Sequence, residues 1–79
     1  MRIEETTVAY ELWDFETGSA IGEYAHKADA LAVVRDNVRA YGPSAVDGVA
    51  LLAVDRKGES RLVAQGEALL KLLSEHAAT

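Results

Sequence analysis

A repeated order of short elements is the feature that most constrains the fold of this chain. Residues 10–31 contain a strand pattern, a turn that begins with an aspartate, a second strand pattern and the start of a helix, and residues 51–69 contain the same order. Asp14 and Asp55 open the two turns and lie 41 positions apart. Self-similarity at a nearly constant spacing indicates one structural unit used more than once. The sequence therefore predicts two ββα units.

Hydrophobic periodicity gives the predicted bounds of the elements. Alternating or β-branched runs predict strands over residues 7–15, 20–25, 49–54 and 61–65, and three- and four-residue spacings predict helices over 27–41 and 67–75. Seventy-nine residues suit one small domain, residues 1–79. The predicted fold class is α+β, with a four-stranded, mainly antiparallel sheet and both helices on one face. The order of the strands stays open.

The boundaries between these elements carry recognisable signals. Gly18 can close the first hairpin loop with a positive φ, and Gly42 followed by Pro43 predicts the end of the first helix. That helix has one apolar stripe, formed by Ala28, Leu31, Val34, Val38 and Tyr41. The segment 44–48 is predicted to be a plain connecting loop.

Size and charge limit the functions that fit. A chain this short buries only about 60% of its unfolded surface, and without cysteine it has no disulfide or thiolate metal site. No cofactor is indicated, so a second subunit is the expected source of extra stability. The formal charge of −5 disfavours nucleic acid and anionic membranes as partners. With no apolar signal segment near Met1 and no apolar run long enough to span a membrane, a cytoplasmic location is expected.

Four side chains are candidates for catalysis or metal binding. Asp14 and Asp55 raise the question of acid–base work or a divalent cation, but aspartate at the start of a turn usually accepts local N–H groups. His26 precedes a helix and His76 follows one, and neither has a second histidine or a cysteine nearby. The preferred interpretation is structural for all four, so the chain is predicted not to be an enzyme.

Trp13 and a basic cluster raise the question of nucleic-acid binding. Aromatic residues on a sheet can stack on bases, but such surfaces also need surrounding Lys and Arg. The first hairpin has no cation between Arg2 and Lys27, whereas Arg56, Lys57 and Arg61 gather on the second. Filling a core or an interface is the preferred role for Trp13.

The strands have more apolar surface than one layer of helices can cover. The run Val49–Val54 is apolar on both of its faces, which is typical of a strand covered on both sides. An exposed apolar patch of several hundred Å² usually marks an interaction site. We therefore predict a protein-interaction module that forms a homodimer through its sheet. The predicted interface residues are Trp13, Phe15, Ala50, Leu52 and Val54.

A partial resemblance suggests a second function. The hairpin and helix between Tyr10 and Val38, with the helix opening Ala28-Asp29-Ala30-Leu31, resemble the start of HicB-type antitoxins. The resemblance implies an acidic, RNase-H-like half-fold that pairs with a toxin. The alternative prediction is thus a small acidic regulator that binds a basic protein or nucleic acid.

The excess of Ala, Val, Arg, Asp and Gly is typical of small proteins from GC-rich bacterial genomes.

Overall fold

A computed structural model describes residues 7–77, with side chains described as far as Glu75. The elements are β1 (Thr7–Asp14), β2 (Ser19–Tyr24), α1 (Lys27–Tyr41), a short 3₁₀ helix (Pro43–Val46), β3 (Val49–Asp55), β4 (Ser60–Gln65) and α2 (Glu67–Ala77). The predicted ββαββα order and α+β class are confirmed. The N-terminal segment used for the signal-peptide prediction and the His76 side chain lie outside the described residues.

The four strands form one open antiparallel sheet in the order β2-β1-β3-β4. Each hairpin supplies one outer and one inner strand, and the two inner strands pair so that Leu12 lies opposite Leu51. The two ββα units are therefore related by an approximate two-fold axis through the middle of the sheet. This places one hairpin loop at each end of the inner pair.

Both helices pack on the same face of this sheet. The core contains Leu12 and Leu51 from the inner strands, Leu31 from α1 and Leu69 from α2, all almost fully buried. Leu12 and Leu51 are direct cross-strand partners, so their side chains lie on one face of the sheet. In the part of the chain that the structure describes, no helix packs on the opposite face. Neither helix in the described range is long and apolar enough to cross a membrane.

The buried stripe of α1 differs from the predicted one at three positions. Ala30 is completely buried beside Leu31, whereas Ala28 is exposed and Tyr41 keeps 75% of its surface accessible. Tyr41 is the last residue of α1, so its side chain lies beyond the part of the helix that packs on the core. Gly42 ends the helix as predicted, with φ of 92° and its N–H bonded to the Val38 carbonyl.

The segment predicted as a plain loop forms the 3₁₀ helix Pro43–Val46 instead. Pro43 suits its first turn because that position needs no backbone donor. Val46 is almost fully buried in the core. This burial fixes the connection between α1 and β3 against the helix-bearing face, which an isolated loop pattern does not reveal.

Irregular pairing interrupts three strands and leaves one residue unmatched in each. The unmatched residues are Val8 in β1, Ile21 in β2 and Val63 in β4. All three are β-branched side chains with more than a third of their surface exposed. A bulge places two residues of one strand against a single partner residue and changes which face the following side chains occupy.

Candidate interaction surface

We call the side of the sheet on which neither α1 nor α2 packs the open face, and it is the candidate interaction surface. Directly opposed residues of neighbouring strands share a face, so the register identifies its members. They are Ala9, Glu11 and Trp13 in β1; Ala20 and Glu23 in β2; Ala50, Leu52 and Val54 in β3; and Ser60, Leu62 and Gln65 in β4.

The two halves of the open face have different chemistry. On one half Glu23 lies directly opposite Glu11, and in the same row on the other half Leu52 lies opposite Leu62. Opposed like charges destabilise a sheet, whereas opposed aliphatic side chains stabilise it. The open face thus has an acidic half on β2 and β1 and an aliphatic half on β3 and β4.

The predicted interface residues differ in their location on the sheet and in their exposure to solvent. Trp13, Leu52 and Val54 lie on the open face and are partly exposed. Ala50 is on the same face but has no accessible surface, flanked across the strands by Trp13 and Gln65, so its side chain offers no area to a partner. Phe15 lies one residue past the end of β1 and is 53% exposed. Its backbone N–H donates to the Gly48 carbonyl at 2.7 Å.

Leu62 is a member of the open face that sequence reasoning missed. Simple alternation along β4 predicts that Leu62 and Ala64 lie on the same side of the strand. In the structure Val63 is the unmatched residue between them, so Leu62 faces Leu52 while Ala64 faces Leu51 in the core. Leu62 is consequently 54% exposed. No glycine or proline lies within Ser60–Gln65 to signal the bulge.

Asp14 and Asp55 have turn functions in the structure. The Asp14 Oδ1 accepts the Glu16 N–H at 2.9 Å, and the Asp55 Oδ1 accepts the N–H groups of Lys57 at 2.9 Å and Glu59 at 3.0 Å. Asp14 pairs with Val49 at one end of β3, and Asp55 ends that strand six residues later. The two carboxylates are thus about 20 Å apart along the strand. They do not form one site.

Removing the Asp55 carboxylate is expected to destabilise the fold more than removing that of Asp14. Asp55→Ala leaves two turn N–H groups without their acceptor and should lower the free energy of unfolding by about 1 kcal/mol, and Asp14→Ala by about half of that. Chemical denaturation of both variants measures the difference. Asp55→Asn, which keeps an acceptor oxygen, is the control and should recover most of the loss. Equal losses for the two alanine variants would contradict this assignment.

The remaining candidates are not assembled into a common site. His26 is the residue before α1, is exposed, and its side chain makes no capping hydrogen bond. Arg56 and Lys57 lie at the exposed tip of the second hairpin, while Arg61 lines a cavity of about 200 Å³ with Asp55 and Glu59. Across the described residues, no three His, Cys, Asp or Glu side chains come close enough to hold a metal ion.

Comparison with known proteins supplies no relative. No protein-family model matches the chain, and no curated protein or solved structure is significantly similar to it.

Proposed function

We propose that this protein is a non-enzymatic, cytoplasmic interaction module that forms a homodimer through the open face. The observation that carries the proposal is the position of Trp13, Leu52, Val54 and Leu62 on the side of the sheet opposite both helices. A second copy offers the same apolar surface, as an isologous interface requires. Burial of these side chains would supply the stability that a chain of 79 residues gains only sparingly from its own core.

The outer edges of the sheet favour contact through the face over contact through the edges. β2 and β4 are the two edge strands, and each has an unmatched residue, Ile21 and Val63. A bulge on an edge strand disturbs the row of N–H and C=O groups that another strand would need. Two copies therefore have a poor template for a continuous eight-stranded sheet, while their open faces remain accessible.

The division of the open face suggests how the two copies would be aligned. A two-fold axis parallel to the strands and near β3 and β4 would place Leu52 and Leu62 of one copy against the same residues of the other. β1 and β2 would then lie toward the rim, where water solvates the charges of Glu11 and Glu23 and where Trp13 borders the aliphatic contact. If the two open faces overlapped completely, carboxylates from both copies would be enclosed in the interface. Such burial is energetically costly without cationic partners.

The area of the open face gives the expected affinity of the dimer. Four strands about 4.8 Å apart and six residues long have a planar area of roughly 400 Å². Two complete faces would bury roughly 800 Å² in total, and the offset arrangement near β3 and β4 buries less, so the interface is smaller than the roughly 1,200 Å² at which specific interfaces begin. We therefore expect a weak, reversible dimer with a dissociation constant of roughly tens to hundreds of micromolar.

The charge of the chain predicts that salt strengthens this dimer. Each copy has a formal charge of −5, and the Debye length falls from about 10 Å at 0.1 M salt to about 3 Å at 1 M, so added salt weakens the repulsion between copies. Sedimentation velocity or light scattering at tens of micromolar should show a mass above 8.5 kDa that increases with NaCl concentration. A monomer at all concentrations and salt levels would refute the proposal.

The acidic half of the open face supports a second candidate, a regulator that binds a basic protein. Glu11 and Glu23 lie beside an aliphatic surface, which is a combination that a partner with Lys or Arg around an apolar patch would complement. The sign of the salt effect separates the two functions, since binding to a basic partner weakens with salt. A basic partner co-purified from the source organism and displaced by NaCl would favour this alternative.

A further inference from the structure

A groove between the two helices lies on the side of the molecule opposite the open face. Its volume is about 450 Å³, within the range of roughly 300–1,000 Å³ typical of small-molecule sites. The lining residues are Ala28, Leu31, Ala32, Arg35 and Arg39 from α1 and Leu73 and Ser74 from α2. None of them belongs to the open face, so an inference from this groove is independent of the proposed dimer.

The groove is apolar at one end and cationic at the other. Ala28 and Ala32 are one turn apart near the start of α1, and Arg35 and Arg39 are one turn apart near its end. The distance along the helix from Ala28 to Arg39 is about 16 Å. The small alanine side chains leave a trough beside Leu31, and the arginines bring two positive charges to the far end of that trough.

The two arginines form only one weak ion pair with acidic groups among the described residues. Arg35 Nε is 3.6 Å from the carboxylate of its sequence neighbour Asp36, and both side chains are more than half exposed, so this ion pair is weak. Within the described part of the chain, Arg39 has no ion-pair partner. Among the described residues, the two guanidinium groups that line the groove thus remain available to a carboxylate, although the chain as a whole is acidic.

The volume favours a small ligand over a helix of a partner protein. An α-helix with a diameter of about 10 Å occupies roughly 420 Å³ per turn, so the groove would accommodate about one turn. An elongated molecule with one anionic end matches both the length and the uneven lining. We propose that the groove between α1 and α2 binds an amphipathic carboxylate of medium chain length, with its carboxylate at Arg35 and Arg39 and its hydrocarbon chain along Ala28, Ala32 and Leu73.

Titration with octanoate and with octanol, the neutral counterpart of the same length, tests the proposal. NMR shifts of the backbone amides of Ala28, Ala32 and Ser74 should report binding of octanoate at submillimolar to millimolar concentrations. Octanoate should bind about tenfold more tightly than octanol because only the carboxylate forms charge-assisted hydrogen bonds. Raising the salt concentration should reduce this difference.

Two double variants separate the groove from general charge effects. Arg35→Gln with Arg39→Gln should weaken octanoate binding about tenfold and leave octanol binding unchanged. The matched control, Arg56→Gln with Lys57→Gln, removes the same charge at the hairpin tip and should leave both affinities unchanged. The proposal is overturned if octanoate fails to bind at several millimolar, if both double variants bind it like the parent protein, or if the shifted amides cluster around Trp13 and Leu52.

Discussion

Leu51→Ala is expected to lower the free energy of unfolding by about 3 kcal/mol, the usual range for a buried leucine being about 2–5 kcal/mol. Leu51 has no accessible surface and faces both Leu12 across the sheet and the helices above it. A domain of this size has a total stability of roughly 4–12 kcal/mol. The variant should therefore unfold at a much lower urea concentration, with little change in the slope of the transition.

Leu62→Ala provides a matched control because it is the same substitution on the opposite face of the same sheet. Leu62 is 54% exposed, so its truncation should change the stability of the monomer by no more than about 0.5 kcal/mol. Both variants should be compared at low micromolar concentration, where association contributes least to apparent stability. Similar losses at the two positions would mean that the assignment of core and open faces is wrong.

Leu52→Lys is expected to abolish the dimer while preserving the fold. The new ammonium group would lie directly opposite Glu11, where an opposite charge stabilises the sheet of the monomer. In the dimer, two apolar contacts would be lost at once because the interface is symmetric. The loss of about 3 kcal/mol corresponds to an increase of the dissociation constant by more than a hundredfold.

Tyr41→Lys is the control for added positive charge at an exposed aromatic position. Tyr41 is 75% exposed at the end of α1, away from the open face, and this variant should retain the parent dimer. Light scattering gives the mass of both variants, and circular dichroism verifies that they are folded. If Leu52→Lys is folded and remains dimeric, the interface lies elsewhere on the molecule.

Local chemistry predicted most of the fold. The bounds of the elements were predicted to within one or two residues. The signals were the aspartates that open both hairpin loops, the glycines that follow them and the Gly42-Pro43 stop. Strand order was not predictable because the pairing of β1 with β3 depends on contacts between residues far apart in the chain. The orientation of α1 was also missed in part, since Ala28 and Ala30 are alike in hydrophobicity and only packing distinguishes them.

The composition of the open face was only partly predictable. Alternation correctly placed Trp13 apart from Leu12, because the pairing between those two residues and β3 is regular. It failed for Leu62, since a single unmatched residue reverses the faces and Val63 has no distinctive backbone preference for a bulge. The inter-helix groove was beyond sequence reasoning, because it depends on the space left between α1 and α2.

The pairing of β1 with β3, which connects the two ββα units, has a consequence for folding kinetics. Each hairpin closes over a short loop, a process on the microsecond scale, whereas Leu12 meets a partner 39 positions away. The entropy lost in closing that long segment must be overcome before contacts between the inner strands stabilise the fold. We infer that the two hairpins form independently and that their docking along β1 and β3 limits the rate at which the native protein appears.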